Sequence, residues 1–214
     1  MGMMKTRIPT ARVALPIAIL LLLMASAAPA QAVWNYFDRA EALEIAFPDG
    51  ERVAKVPFET LQMLDADLRM EIEAALGHAL VLGNTECFQG SRDGSIVGYA
   101  CIDNVIGRSL PITFMFKIDH PSGEIVWYEV MVYREAIGRS VRRGPFRKQF
   151  IGKTFQDSLR YGEDLRSIAG ATMSCDGLKM AFRKLLFLYE YHLRNLPLLA
   201  EGSIEEMKIQ EYIR

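Results

Sequence analysis

The stretch Ser167-Ile168-Ala169-Gly170-Ala171-Thr172-Met173-Ser174-Cys175-Asp176-Gly177-Leu178 places a small-residue turn directly before a predicted helix. Gly170 can adopt backbone angles closed to other residues, and Gly170 and Ala171 keep the approach to Thr172 free of bulk. The first N–H groups of a helix have no intrahelical partners and favour an anion such as phosphate. We therefore interpret Thr172 as a reachable hydroxyl at an anion-binding corner. The alternative is an ordinary turn with Ser174 as the N-cap, because serine is a common capping residue.

Apolar residues after this turn recur at the spacing of an amphipathic helix. Such a helix buries one stripe against the rest of the fold and presents its N-terminus. The predicted buried face consists of Leu178, Ala181, Phe182, Leu185, Leu188 and Tyr189, and the predicted outward face of Lys179, Arg183, Lys184 and Glu190.

Four segments rich in β-branched and aromatic residues precede this helix, and turn residues separate them. They predict a four-strand antiparallel meander. In the third segment alternate residues share one face, which we expect to pack against the helix. The predicted strands span residues 85–89, 96–102, 110–118 and 124–133, and the shared face of the third consists of Ile112, Phe114, Phe116 and Ile118.

Two helices are predicted ahead of the strands. Asp38 is the expected N-cap of a helix ending at Phe47, with Glu41 at the third helical position. A second helix is predicted over residues 60–76, where Gly77 provides a stop. The predicted fold is α+β, with an antiparallel β meander packed against a C-terminal helix and an N-terminal helical lead-in. The predicted division is a helical region over residues 33–83, a domain over 84–192 and a tail over 193–214.

Residues 1–32 have the order of a secretory signal peptide, with basic residues first, then an apolar run, then a small-residue cleavage site. The apolar run is shorter than the roughly 20 residues that a membrane-spanning helix needs. We predict cleavage after Ala32, with an uncleaved anchor as the alternative. The expected location is outside the cytoplasm, in the periplasm or its equivalent, with membrane association if the signal is retained.

Charge argues against a nucleic-acid partner. The chain carries a net charge of −1, and removal of residues 1–32, which hold three basic and no acidic residues, would leave about −4. Basic residues nevertheless concentrate locally, and they form either a solvated loop or a positive rim near a bound phosphate. They are Arg134, Arg139, Arg142, Arg143, Arg147, Lys148 and Lys153.

The remaining reactive residues give little support to other chemistries. Cys87 and Cys101 either bridge between neighbouring antiparallel strands or remain two buried thiols. Cys175 has no Cys-x-x-Cys companion, and the three histidines are too scattered to predict a metal site. No nucleophile stands beside a general base in the sequence. The sequence therefore gives no support to a stand-alone hydrolase or transferase.

Four landmarks occur along the chain in a fixed order: Gly98-Tyr99, residues 133–138 (Tyr-Arg-Glu-Ala-Ile-Gly), residues 146–153 (Phe-Arg-Lys-Gln-Phe-Ile-Gly-Lys) and the Gly-Ala-Thr-x-Ser turn. Together they resemble the FMN-binding domain family, which includes exported flavin subunits of the sodium-pumping NADH:quinone oxidoreductase and of Rnf-type electron-transport complexes. In that family the threonine after Gly-Ala carries FMN through a phosphoester bond, and Thr172 matches it. Ala169 stands where the family usually has Ser or Thr, and Arg166 where it usually has Asp.

The resemblance implies an electron carrier or an oxidoreductase subunit, with a covalently attached FMN cofactor and a set of residues around it. It also implies a flavin transferase that uses FAD and Mg²⁺ for maturation, and a membrane or exported electron-transfer partner. The implied cofactor-binding residues are Thr172, Ala171, Gly170, Ser174, Glu135, Gly138, Arg139, Phe150 and Gly152.

Several readings remain open at this point. Ser174 is a second possible attachment residue. Glu135 either bonds the flavin ring or ribityl chain, or pairs with a neighbouring arginine. Trp127 and Tyr128 are candidates to flank the ring, although strand aromatics more often belong to a core. The alternative function is a flavin-free exported binding module that keeps the fold.

Overall fold

The computed structural model describes residues 33–48 and 51–200, so the predicted signal peptide and the end of the predicted tail lie outside the described residues. Two short 3₁₀ turns, Arg139–Arg142 and Leu193–Asn195, accompany the helices and strands. The elements in chain order are β1 (Trp34–Asn35), α1 (Arg39–Ala46), β2 (Arg52–Lys55), α2 (Phe58–Gln62), α3 (Ala66–Leu76), β3 (Glu86–Arg92), β4 (Ser95–Ile106), β5 (Pro111–Asp119), β6 (Ile125–Tyr133), α4 (Gly144–Arg147) and α5 (Thr172–Tyr191).

The six strands form one antiparallel sheet in the order β1-β6-β5-β4-β3-β2. The four central strands follow chain order, which confirms the predicted antiparallel arrangement beside a C-terminal helix. The two edge strands come from the region predicted to be helical. With two and four residues, they are too short for their side-chain alternation to be recognised in a sequence.

Helix α5 packs its apolar stripe against one face of the sheet, and Phe182 lies at the centre of the contact. The predicted face of β5 meets it, with each of the four alternate residues at most 1% exposed. Aromatic pairs of this kind stabilise beyond the area they bury. The ring centroid of Phe182 lies 5.2 Å from that of Phe114, 5.6 Å from Phe116, 4.8 Å from Tyr128 and 4.7 Å from Phe150.

Helix α5 begins earlier than its apolar pattern indicates. It spans 20 residues, with Thr172 as the first helical residue and Ala171 as the N-cap, so the interpretation of Ser174 as N-cap is wrong. Lys184 was also expected to point outward, yet its side chain is 12% exposed and its Nζ lies 2.5 Å from Asp103 Oδ2 on β4. A pattern within one helix cannot reveal a partner on a distant strand. No helix within residues 33–48 and 51–200 is long and apolar enough to cross a membrane.

The other face of the sheet is covered by α1. The Asp38 side chain accepts from Glu41 N at 2.8 Å and Asp38 N donates to the Glu41 carboxylate at 2.9 Å, which is the predicted capping box. Phe47, just beyond α1, lies so close to Gly90 that a Cβ there would be 2.2 Å from the ring. Glycine at position 90 therefore lets the end of α1 contact the sheet.

The predicted helix over residues 60–76 is two helices, α2 and α3. Asp65 has extended backbone angles (φ −54°, ψ 145°) and ends the helical run between them. Its neighbour Leu64 is buried, so the break between the two helices places the apolar Leu64 side chain in the core. Helix α3 ends at Gly77 with φ +78°, the left-handed conformation that favours glycine.

A register shift changes the faces of β6. Lys117 pairs with Trp127 and Ile118 with Ile125, so one residue of β6 is skipped. A regular alternation along β6 would put Ile125 on the face opposite Tyr128, whereas both belong to the core beneath α5. A β-bulge of this kind moves a side chain to the other face of the sheet. The alternation of residue types in the sequence does not reveal where the bulge lies.

Cys87 and Cys101 form a disulfide between β3 and β4. The two residues are direct partners in the strand register, with a Cα–Cα distance of 4.1 Å. Of the two alternatives that the sequence left open, the structure therefore has the disulfide bridge rather than two buried thiols. Cys175 is a free, buried cysteine.

Candidate functional site

Thr172 is exposed at the N-terminus of α5, directly after the turn at Gly170. Gly170 has φ +78°, and a Cβ there would meet nothing within 4 Å in the described chain. The first helical hydrogen bond joins Cys175 N to Ala171 O at 2.9 Å, so the N–H groups of residues 172–174 precede it. No side chain within residues 33–48 and 51–200 caps the helix. The corner therefore presents a hydroxyl beside uncapped N–H groups.

Ser174 points the opposite way, into the protein. It is 3% exposed, and its Oγ lies 2.9 Å from the hydroxyl of Tyr133 on β6. That hydroxyl donates in turn to Ile137 O at 2.7 Å, so Ser174 is the donor to Tyr133. Burial raises the pKa of Tyr133, while the hydrogen bond with Ser174 acts in the other direction. Ser174 thus ties the first turn of α5 to the sheet.

Gly138 brings the turn after β6 against this hydroxyl pair. It has φ +101°, and a Cβ at this position would lie 2.3 Å from the Tyr133 hydroxyl and 2.7 Å from Ser174 Oγ. Only glycine combines that backbone angle with so close an approach. The turn that carries Arg139 is therefore held next to the start of α5.

Two cavities lie beside this turn. The first, which we call the arginine pocket, has a volume of about 540 Å³. The second, the loop pocket, has a volume of about 770 Å³ and includes residues 162–168 that lead to the Thr172 turn. Ser140 and Arg143 line both cavities, so the two adjoin. The arginine pocket is lined by Tyr36, Ala136, Gly138, Arg139, Ser140, Arg142 and Arg143.

The arginines of the arginine pocket have three different environments. The Arg139 guanidinium lies 4.1 Å from the ring centroid of Trp34. Arg142 lies 4.0 Å from the ring centroid of Tyr36 and 3.5 Å from the carboxylate of Glu129. Arg143 is exposed and has no ion-pair partner in the described parts of the chain. An anion entering this pocket would meet one free guanidinium and two held by aromatic rings.

The basic stretch as a whole is mostly engaged within the protein. Arg147 also pairs with Glu129, which is 6% exposed. Burial raises the pKa of Glu129, against the opposing effect of Arg147 and Arg142. Lys153 pairs with Asp157 at 2.8 Å. Of the basic stretch, Arg139, Arg142 and Arg143 line the arginine pocket.

Glu135 bonds the backbone of a distant turn rather than a neighbouring arginine. Its carboxylate accepts hydrogen bonds from Ser109 N at 2.5 Å and Leu110 N at 2.8 Å, so it holds the turn between β4 and β5. Arg134 instead donates to Pro111 O at 3.0 Å. The predicted pairing of Glu135 with a neighbouring arginine is wrong, because the backbone of a distant turn supplies the donors.

Phe150 belongs to the core. It is fully buried against Phe146, Tyr128 and Phe182, and Phe146 rather than Phe150 lines the loop pocket. Tyr128 is equally buried, which places it in the core as well. Trp127 packs with the cluster beneath α1 on the opposite face.

Gly152 ends the turn that follows Phe150. It has φ +79°, and its N–H donates to Ile125 O at 2.8 Å. That bond fastens the turn to the start of β6. Among the described residues, Gly152 therefore contacts the backbone of β6 at Ile125.

The loop that leads to the Thr172 turn is folded around Asp164. This carboxylate accepts from Arg160 N at 2.7 Å, Leu159 N at 3.0 Å and Ser158 Oγ at 3.1 Å. Burial would raise the pKa of Asp164, but these hydrogen bonds outweigh it and lower the pKa. Asp164 is thus a structural residue of the loop pocket.

No protein-family model matches the chain, and no curated protein matches it. The resemblance to the FMN-binding domain rests on the motif residues alone. Within the described residues, no cluster of three or more His, Cys, Asp or Glu side chains is arranged to hold a metal ion.

The structure places the turn of Gly138 and Arg139 against Ser174, in the first turn of α5, which Thr172 begins. Ala171 and Gly170 shape the turn that leads to it, whereas Phe150 lies in the core and Glu135 on another turn. Sequence reasoning missed three contributors, namely Trp34, Tyr36 and Tyr133, because nothing local marks an aromatic residue that contacts an arginine or serine many residues away.

Proposed function

We propose that this protein is an exported electron-transfer flavoprotein that carries FMN on Thr172 through a phosphoester bond. The observation that carries the proposal is the exposed Thr172 hydroxyl at the uncapped start of α5, whose first turn contacts Gly138 of the arginine pocket through Ser174. The proposed FMN-binding domain comprises residues 84–192, and residues 33–83 add the edge strands β1 and β2 to its sheet.

The corner fits the phosphate of such a group. Helix N-termini favour anions through their free N–H groups and their dipole. Arg143, which lines both cavities, adds a guanidinium that has no ion-pair partner among the described residues. The two adjoining cavities have volumes in the range of known cofactor sites, about 300 to 1,000 Å³. Ile137 and Met173, 66% and 53% exposed, offer apolar surface near Thr172. These features support the proposal for both the phosphate and the ring.

The protein's part in the proposed function is to hold and orient. FMN supplies the electron transfer when it is bound. Thr172 provides the covalent anchor, which matters outside the cytoplasm because a cofactor that dissociates there would not be replaced. In the proposed attachment, Thr172 Oγ1 forms a bond to the phosphorus of the FMN half of FAD. The bond to the adenylate half breaks, AMP leaves, and the hydroxyl proton passes to the transferase.

The environment of Ser174 favours Thr172 as the attachment residue. A buried hydroxyl bonded to Tyr133 has to leave that bond and turn outward before a transferase can reach it. Thr172 needs no such change.

The test is expression of the full exported chain together with a flavin transferase, followed by in-gel flavin fluorescence of the denatured protein. Wild type is expected to fluoresce, and Thr172→Ala to lose the signal completely. Ser95→Ala, an exposed hydroxyl residue that lines neither cavity, is the control and is expected to keep it. Wild-type protein that stays dark while the transferase modifies another target would overturn the proposal and leave the flavin-free binding module.

A further inference from the structure

The first described residues form a strap across the arginine pocket. We call residues 33–37 the N-terminal strap. Trp34 pairs with Tyr133 and Asn35 with Val132 as strand β1, and Tyr36 N donates to Met131 O at 2.8 Å. The strap therefore lies along the end of β6, immediately before the turn that carries Gly138 and Arg139.

Two aromatic residues of the strap hold two arginines of the pocket. Arg139 stacks on Trp34 and Arg142 on Tyr36, at 4.1 and 4.0 Å from the ring centroids. Tyr36 itself lines the arginine pocket. An arginine side chain is otherwise free to adopt many rotamers, and stacking on a fixed ring restricts it. The strap thus determines where two of the pocket's positive charges lie.

The strap is also connected to the start of α5. The Trp34 ring lies 6.4 Å from the Tyr133 ring, and the Tyr133 hydroxyl bonds Ser174 in the first turn of α5. Gly138 fits between this hydroxyl and the turn that carries Arg139. A single set of contacts therefore fixes the arginine and the helix N-terminus relative to one another.

We propose that Trp34 is a positioning residue of the flavin site, which acts through Arg139 to hold its guanidinium toward the phosphate. The proposal rests on the proposed function. It adds the strap, which neither the motifs nor the resemblance assigns to the site. In this proposal Trp34 acts on the anionic end of the cofactor. The effect of substituting Trp34 should therefore depend on the phosphate of the ligand and not on its flavin ring.

The test compares FMN with riboflavin, which has the same ring and ribityl chain but no phosphate. In a Thr172→Ala background, which prevents covalent attachment, both ligands are titrated and binding is followed by quenching of flavin fluorescence. Trp34→Ala is expected to weaken FMN binding about two- to fivefold, the range of an exposed cation–π contact. Riboflavin binding is expected to stay unchanged. Trp34→Phe keeps a ring beneath Arg139 and should restore most of the FMN affinity.

A double-mutant cycle tests the route through Arg139. The proposed route through this arginine requires that Trp34→Ala adds nothing to the loss of FMN affinity in Arg139→Ala. Trp127→Phe changes the only other tryptophan, on the opposite face of the sheet, and should leave FMN binding unchanged. Melting temperatures of all variants are compared, so that a folding defect is recognised.

The outcomes separate this inference from the proposed function. Equal losses for FMN and riboflavin, or additive effects of the two substitutions, would overturn the role of Trp34 and leave flavin binding intact. If free flavin binds the Thr172→Ala protein too weakly, the initial rate of covalent incorporation into Thr172-containing variants replaces the titration. Trp34→Ala should then be slower than Trp34→Phe, and equal rates would contradict the inference. Wild type that takes up no flavin by either route would overturn both proposals.

Discussion

One helix, α5, joins two regions of opposite character. Around Phe182 its side chains are buried and contact four aromatic rings, whereas at Thr172 the chain is exposed and the N–H groups are uncapped. The buried stripe fixes where the N-terminus of the helix lies, and the N-terminus carries the proposed chemistry. Stability and attachment should therefore be separable by substitutions on the same helix.

The largest expected effect is a loss of stability in Phe182→Ala. Removal of this ring leaves a cavity in the centre of the aromatic core, which typically costs about 3–5 kcal/mol. Denaturant unfolding of the folded protein measures it. Thr172→Ala is the contrasting variant, with a change within about 0.5 kcal/mol as for most surface substitutions. Similar losses in both variants would mean that the two regions are not distinct.

The next effect concerns the buried ion pair between α5 and β4. Lys184→Met leaves Asp103, 2% exposed at its side chain, without its cation, and an uncompensated buried charge costs about 3 kcal/mol or more. Lys179→Met is the matched control. Lys179 pairs with Asp176 at 3.6 Å within the same helix, and such pairs contribute about 0.3–0.5 kcal/mol. Unfolding free energies that fail to differ between the two variants would contradict the assigned role of Lys184.

The smallest effect is a difference in pH dependence between two carboxylates. The pKa of Glu129 is raised by burial, so its contribution is present below the ordinary Glu value of about 4.3 and is lost as pH rises through the raised pKa. Burial would raise the pKa of Asp164, but hydrogen bonds from Arg160, Leu159 and Ser158 outweigh burial, so the pKa is lowered. Its contribution is present above about 3.9 and is lost as pH falls.

Glu129→Gln and Asp164→Asn measure these contributions. The stability advantage of wild type over Glu129→Gln should shrink from pH 4 toward pH 7, and the advantage over Asp164→Asn should shrink as pH falls below about 4. Both are obtained from unfolding curves at a series of pH values. Advantages that change in the same direction would show that the two environments are misassigned.

The same contrast explains how much of the fold follows from the sequence. The central strands and the buried face of β5 could be predicted because alternation and helical spacing are local signals. The capping box at Asp38 is local as well. The sequence could not predict the edge strands, the break at Asp65 or the shifted register at Ile125, because short segments and bulges produce no recognisable periodicity.

The same distinction between local and distant signals applies to the candidate site. Thr172 could be placed at an exposed corner because a small-residue turn before a helix is visible in the chain. Contacts between residues distant in sequence could not be predicted: Arg139 with Trp34, Ser174 with Tyr133, and Glu135 with the turn at Ser109. The structure therefore adds partners from β1 and β6 to the candidate site that the motif proposes.

The most direct test of the account is peptide mapping of the full chain after export in the presence of a flavin transferase. The peptide that contains Thr172 should carry the mass of FMN less one water, and fragmentation should place it on the Thr172 side chain rather than on Ser167 or Ser174. Attachment at Ser174, or an unmodified peptide from well-folded protein exposed to active transferase, would contradict the central claim.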